Sequence, residues 1–312
     1  MIISQTPLRV SLLGGGTDLP EWYENELGCV VGSTIDKYIY VIVTKRFDNK
    51  ICIGYSKQET VDSIDEIQHD LVRETARMAG MTKGFEVKTF AEIPSGGSGL
   101  GSSSAILVGL LKAFYEYQKV FRNNMQIAYD AFTIERNVLG RPVGKQDHYF
   151  AAVGGKNVFE FNGDSVVRFP TTISENNLHI FYTGITRNSS DILSRQQSNI
   201  NEYTEFYYKE LASMARNYSI HPDTLSVSLK LNWEYKKKLS DNISNPEIEK
   251  MCVLADQGGA TAYKILGAGG GGFLLIYCEN DKLNLLRTTL KDYRELPFRF
   301  VDHGVRIVFN NE

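Results

Sequence analysis

Short runs of β-branched and aromatic residues, broken by glycines, dominate the opening part of the chain and predict strands there. Leu8–Leu13 and Tyr38–Thr44 read as two such strands, separated by a glycine cluster and an acidic, aromatic stretch. Residues 64–79 carry helical spacing, and Phe85–Ala91 returns to a strand pattern. A Gly/Ser loop over Ser95–Ser104 leads into a strong helical signal, with Leu107, Leu110, Leu111, Phe114 and Tyr117 recurring every three or four positions. A second helix is predicted over about Met125–Leu139. It stops at Gly140-Arg141-Pro142, where glycine supplies the cap and proline bars continuation. A short helix from Gln146 to Val153, closed by Gly154-Gly155, completes this half.

The second half opens with a strand at His179–Thr183. Long amphipathic helices follow over about 189–217 and 222–241, and Pro246 starts another. Strand Tyr263–Leu266, the glycine run Gly267–Gly272, strand Phe273–Cys278, helix Lys282–Tyr293 and strands near Phe298–Val308 end the chain. That order is expected of a split β-α-β, ferredoxin-like layer. Polar residues and Pro170 interrupt the pattern near 165–178. The expected class is therefore α+β with two domains, 1–170 and 171–312.

Composition narrows the function. Across 312 residues, 42% are hydrophobic and 23% charged, the balance of a chain that buries a core. With 34 Lys+Arg against 37 Asp+Glu, the net charge of −3 offers no basic footprint for nucleic acid or an anionic membrane. Cys29, Cys52, Cys252 and Cys278 are far apart and form no Cys-x-x-Cys pair, so they read as reduced, mostly buried thiols. The start of the chain has no signal-peptide pattern, and no apolar run approaches the ~20 residues of a membrane span. A cytoplasmic location is expected, and nothing in the pattern specifies an oligomeric state.

The candidate chemistry lies in three glycine clusters. Pro94-Ser95-Gly96-Gly97-Ser98-Gly99-Leu100-Gly101-Ser102-Ser103-Ser104-Ala105 stands between a strand and a long helix, where close backbone approach and free helix N–H groups suit phosphate. Ser102 stands where a Walker loop needs lysine, which disfavours a P-loop fold; the rival reading is a flexible linker. Gly267–Gly272 spells G-x-G-x-x-G, but a strand follows it and not a helix. That weakens a dinucleotide fingerprint, and with it a nicotinamide-dependent oxidoreductase, and favours a hairpin or a ligand loop. Gly14-Gly15-Gly16-Thr17-Asp18 closes the strand carrying Arg9 and alone would be a turn. Glu135 shares a helical face with Ala128, Ala131, Phe132 and Leu139, so it must be paired or bind a cation. Asp147 falls at the start of the short helix, as a cap or a base. The five histidines show no pairing and suggest no role.

Pro7–Asp18, the Pro94–Ala105 loop and Lys264-Ile265-Leu266-Gly267-Ala268-Gly269-Gly270-Gly271 occur in this order over nearly the whole chain. Together they resemble the three motifs of the GHMP kinases, which include galactokinase, homoserine kinase, mevalonate kinase and phosphomevalonate kinase. Gly14–Asp18, Lys145-Gln146-Asp147 and Tyr182–Arg187 most resemble the heptose 7-phosphate kinases of that family. The resemblance implies a two-domain GHMP kinase fold, with a ribosomal protein S5 domain 2-like N-terminal domain and a ferredoxin-like C-terminal domain. It also implies ATP and Mg²⁺, and a small-molecule sugar or sugar phosphate as acceptor.

The same resemblance distributes roles. Pro94, Ser95, Gly96, Gly97, Ser98, Gly99, Leu100, Gly101, Ser102, Ser103 and Ser104 would cradle the ATP phosphates. Ser103 and Glu135 would hold Mg²⁺. Asp147 would be the catalytic aspartate, with Arg9 beside it. Gly15, Gly16, Thr17, Asp18, Gly269 and Gly270 would contact the acceptor. Lys145 and Arg187 would take its far phosphate. A galactose-, fucose- or mevalonate-type kinase and a non-catalytic sensor of the same fold are the competing readings.

Overall fold

The computed structural model describes residues 1–93, 97–186, 189–218 and 220–312. The first half runs β1 (Ile2–Leu13), a single turn α1 (Pro20–Tyr23), β2 (Gly28–Lys45), β3 (Ile51–Gly54), β4 (Gln58–Val61), α2 (Asp70–Met78), β5 (Phe85–Ala91), α3 (Ser102–Tyr117), α4 (Asn124–Phe132), α5 (Gln146–Val153), β6 (Lys156–Asn162) and β7 (Ser165–Pro170). The second runs β8 (Leu178–Tyr182), α6 (Ser189–Ser198), α7 (Glu202–Tyr218), α8 (Leu225–Lys237), α9 (Pro246–Gln257), β9 (Ala262–Ile265), β10 (Phe273–Tyr277), α10 (Leu283–Thr289), β11 (Phe300–Val301) and β12 (Arg306–Asn310).

One sheet is built on β1 and β2, in the order β12-β1-β2-β5-β3-β4. The 18-residue β2 pairs with β6 through Gly28–Ser33, with β11 at Thr34 and Ile35 and with β5 through Ile39–Lys45, so one strand serves three neighbours along one side. The β1–β2 register slips between Pro7 and Leu8, where proline can give no ladder hydrogen bond, and again between Ser11 and Leu13. These irregularities lie on either side of Arg9. Helix α3 buries Leu107, Val108, Leu110, Leu111 and Phe114 over this sheet. It comes close enough that Ser4 Oγ donates to the Gly109 carbonyl at 2.8 Å, and a Cβ at Gly109 would meet Thr6 Oγ1 at 2.7 Å.

The second sheet is antiparallel, β8-β10-β9. Among the described residues, β8 has on its outer side a bridge, Phe181 to Glu295, and the strands expected to complete a ferredoxin-like layer go elsewhere. β11 pairs with β2 at Ile35 and Thr34, and β12 pairs with β1 at Ile2–Gln5. The close of the chain thus belongs to the first sheet. The reason is visible in β1: its outer edge would otherwise present unpaired backbone groups. The helix expected over 189–217 is broken at 199–201, where Asn201 Oδ1 accepts the Tyr203 amide and starts a new helix. The second predicted helix of the first half begins with a capping box between Asn123 and Gln126, then widens into a π-turn at Thr133–Val138 before Gly140 (φ +64°) ends it. Cys29, Cys52, Cys252 and Cys278 are buried and unpaired.

Candidate active site

Arg9 leaves β1 between the two register slips and reaches across to the first turn of α5. Its Nε donates to Asp147 Oδ1 at 2.8 Å and its Nη2 to Asp147 Oδ2 at 2.7 Å, a bidentate pair. Its Nη1 donates to the Gly99 carbonyl at 2.6 Å, and its backbone N–H to the Leu100 carbonyl at 3.0 Å. One guanidinium therefore fastens the serine loop to Asp147. Gly101, at φ +77°, lies directly on the pair, since an added Cβ would stand 3.2 Å from Arg9 Cγ and 3.5 Å from Asp147 Cγ. As the residue before α3 it brings no side-chain cap, so the first-turn N–H groups of this 16-residue helix remain available to an anion.

Glu135 projects from the π-turn, a local widening found often at functional sites. Ser103 Oγ donates to its Oε1 at 2.6 Å, Ser104 Oγ to its Oε2 at 3.1 Å, and His148 Nε2 lies 2.8 Å from Oε2. Burial alone would push this carboxyl up. The His148 hydrogen bond and charge, the Ser103 hydroxyl and Arg141 outweigh that and hold it at about 2. On the far side, Asp18 Oδ1 accepts from the Gly16 amide (3.0 Å) and Gln146 Nε2 (2.8 Å), and Oδ2 from the Gln146 amide (3.2 Å). Burial, with the Asp147 charge nearby, pushes the Asp18 carboxyl up against the pull of those amides and of Lys236.

These groups line one cavity of about 330 Å³. Gly16 and Asp18 come from the first glycine cluster, Gly97–Gly99 and Gly101–Ser104 from the second, and Gly267 and Ala268 from the third. Arg9, Glu135 and Asp147 come together in its wall. Pro94, Ser95, Gly96 and Arg187 lie outside the described residues. Leu100 is buried beneath the loop as its anchor.

Five expected acceptor contacts are placed elsewhere. Lys145 turns away from the cavity: its Nζ donates to the Gly163 carbonyl at 2.7 Å and sits 4.2 Å above the Tyr23 ring, in a separate cavity with Arg136 and Asp164. Thr17 is fully buried, its hydroxyl donating to the Gly14 and Cys29 carbonyls, so it locks the turn. Gly15 is not in the cavity wall, and its carbonyl accepts Lys236 Nζ at 2.9 Å. Gly269 and Gly270 pack on Ile243, the Gly270 amide donating to its carbonyl at 2.8 Å.

Other residues in or behind the wall carried no sequence role. In the sequence Arg141 and Gln146 are only parts of a helix break and a motif, and the fully buried His148, 2.8 Å from Glu135, contradicts the expectation that no histidine has a role. Lys236 does have a signal, because Leu225, Leu229, Asn232, Trp233 and Lys236 form the buried stripe of α8 and two of the five are polar. Lys264, also buried, donates to the Ser11 and Leu12 carbonyls at 3.0 and 2.8 Å and ties β9 to the end of β1; desolvation drives its ammonium well down.

An amide-lined turn, an adjacent oxygen pair and an aspartate paired with arginine in one cleft are the parts of a small-molecule phosphotransferase. Residues 67–155 match the family profile GHMP kinases N terminal domain. The chain is 32% identical to the D-glycero-alpha-D-manno-heptose 7-phosphate kinase of Campylobacter jejuni, over 98% of each chain. Among solved structures it superposes on a D-glycero-D-manno-heptose 1-phosphate kinase from Bacteroides thetaiotaomicron with a TM-score of 0.81, at 25% identity and full coverage of both chains. A Methanococcus jannaschii mevalonate kinase shares the fold, with a TM-score of 0.76 at 19% identity over 96% of this chain and 98% of that one. The chain belongs to the GHMP kinase family and is an ATP-dependent sugar kinase. Among the described residues, no helix is long and apolar enough to cross a membrane.

Proposed function

We propose that this kinase transfers the γ-phosphoryl group of ATP to the anomeric hydroxyl of D-glycero-D-manno-heptose 7-phosphate. The product, a 1,7-bisphosphate, would serve nucleotide-activated heptose synthesis in the cytoplasm. The observation that carries the chemistry is the Arg9–Asp147 pair beneath Gly101, with the free first turn of α3 beside it. The substrate assignment is supported by the full-length likeness to the Campylobacter enzyme.

Asp147 orients the acceptor hydroxyl and takes its proton, while Arg9 faces the negative charge that builds up on the transferring group. The Gly97–Ser104 turn holds the nucleotide phosphates by backbone N–H groups. Ser103 Oγ and Glu135 Oε1 would hold Mg²⁺: they are hard oxygen donors 2.6 Å apart, near the ~2.9 Å edge of an octahedron of Mg–O bonds. When bound, the ion supplies positive charge to the phosphate oxygens. Asp18 and Gly16 form the acceptor's side of the cleft, where Lys236 is the cation in the wall.

ADP release with Mg²⁺-ATP is the test, run on D-glycero-D-manno-heptose 7-phosphate, the same heptose without phosphate, galactose, fucose and mevalonate. Turnover confined to the phosphorylated heptose and lost in Asp147→Asn is expected. Equal turnover on a plain sugar would overturn the substrate assignment, and an unimpaired Asp147→Asn enzyme would overturn the catalytic one.

A further inference from the structure

His148 follows Asp147 in α5 and is entirely inside the protein, edge-on to Phe132 at 5.7 Å between ring centroids. A carboxylate only accepts, so in the 2.8 Å contact with Glu135 Oε2 it is His148 Nε2 that carries the hydrogen. The other ring nitrogen, Nδ1, is buried without a hydrogen-bond partner among the described residues. The polar link of this imidazole is therefore its bond to Glu135.

The two oxygens of Glu135 have different neighbours. Oε2 is held by His148 and by Ser104 Oγ, both buried. Oε1 meets Ser103 Oγ, with Arg141 Nη1 at 3.6 Å. Arg141 is itself bonded to Asp70 Oδ2 at 2.7 Å and lines the cavity. A carboxylate free to turn at this π-turn would have a second option, a closer ion pair with Arg141, in which neither oxygen stays with Ser103.

We propose that His148 is a positioning residue for the divalent cation. Its Nε2–H holds Glu135 Oε2 back inside the protein, so that Oε1 and Ser103 Oγ are presented together and Glu135 binds the ion through one oxygen. The inference rests on the reading of Ser103 and Glu135 as ligands of Mg²⁺. Groups that orient a metal's ligands in this way typically change its affinity by roughly 10- to 100-fold when removed.

The test is calorimetric titration of ADP into the nucleotide-free protein, with and without Mg²⁺, for the wild type, His148→Leu, His148→Gln, Ser104→Ala and Glu135→Gln. The readout is the factor by which Mg²⁺ tightens ADP binding. We expect His148→Leu to shrink that factor roughly tenfold or more while metal-free ADP binding stays within about twofold. His148→Gln, which can donate an amide N–H to the same oxygen, recovers most of it, and Ser104→Ala shrinks it in the same direction. A His148→Leu or Ser104→Ala factor equal to wild type, with Glu135→Gln impaired, overturns the role of His148 alone. A Glu135→Gln factor equal to wild type overturns the metal-ligand reading and this inference with it. Should His148→Leu not fold, His148→Phe, which fills the space without a donor, takes its place: a factor shrunk roughly tenfold or more is expected, and one equal to wild type overturns the role of His148.

Discussion

Replacing Arg9 with methionine removes three donors at once. The Arg9 side chain is 4% exposed and that of Asp147 is 26% exposed, so the pair is neither a surface bridge nor fully sealed. Breaking a buried pair costs about 3–5 kcal/mol, and partial access of water to Asp147 lowers that to about 2 kcal/mol. The Gly99 carbonyl also loses its 2.6 Å partner, adding about 1 kcal/mol. Arg9→Met is thus expected to lose about 3 kcal/mol in urea unfolding, and roughly a hundred- to a thousand-fold in the rate of ADP release. Two companions separate charge from architecture. Arg9→Lys keeps a cation but cannot form the fork to both carboxylate oxygens and Gly99, so it retains most stability with a clear loss of rate. Arg9→Met/Asp147→Asn removes the stranded charge and recovers part of the stability but none of the rate. If Arg9→Met unfolds at the wild-type midpoint and turns over within threefold of wild type, the pair is incidental and the reasoning fails.

The carboxyl of Glu135, held at about 2 against an ordinary 4.5, contributes stability that is present above pH 4.5 and lost as pH falls toward 2. In metal-free protein, Glu135→Gln should therefore flatten the acid limb of the unfolding curve across that window; an unchanged limb would refute the shift. Gly144→Ala would put a Cβ 2.0 Å from Asp18 Oδ2, so we expect the acceptor KM to rise at least tenfold with the ATP KM little changed. Lys145→Met should leave the acceptor KM within about twofold, because Lys145 faces Gly163 and Tyr23, and a tenfold rise would return it to the acceptor site. Desolvation lowers the Lys145 ammonium, which is a cost to the fold at neutral pH, so the variant should be no less stable by thermal melting.

Much of this architecture is legible in the chain because local rules and global packing agree. Phe85–Ala91 and Gln146–Val153 fold over the residues that periodicity and glycine caps indicate. Glu135 is findable because it is a charge on an apolar helix face, whereas Arg9 and Asp147 have ordinary local readings and take their roles from the resemblance to the GHMP kinases. What escaped was decided by distant partners. Nothing near Arg306–Asn310 says that it will cover the edge of β1 and not complete the second sheet. Lys145 precedes Gln146 and Asp147, but the side chain of a helix's preceding residue can point either way, and the Tyr23 and Phe132 rings took it. His148 reads as one more core position of a short helix until the π-turn brings Glu135 against it, and a π-turn has no sequence period to detect.

The charges of the cavity wall bear on how the nucleotide must enter. Among the described residues its cations are Arg9, Arg141 and Lys236, and its carboxylates are Asp18, Glu135 and Asp147. Arg9 is engaged by Asp147, and Arg141 by Asp70 and Glu135, so much of their charge is already answered. No lysine stands in the serine turn, unlike a Walker loop, and backbone N–H groups carry only partial charge. A triphosphate entering such a nearly balanced site lacks most of the compensation its desolvation requires. The deficit is largest next to Ser103 and Glu135, where the protein offers oxygen ligands and not another cation. With Ser103 and Glu135 as the proposed Mg²⁺ ligands, the divalent ion would be part of the nucleotide's binding energy as well as its chemistry. ATP affinity should fall far more steeply on chelation than in a kinase with a phosphate-binding lysine, and a Ser102→Lys substitution should recover part of the metal-free affinity without recovering turnover.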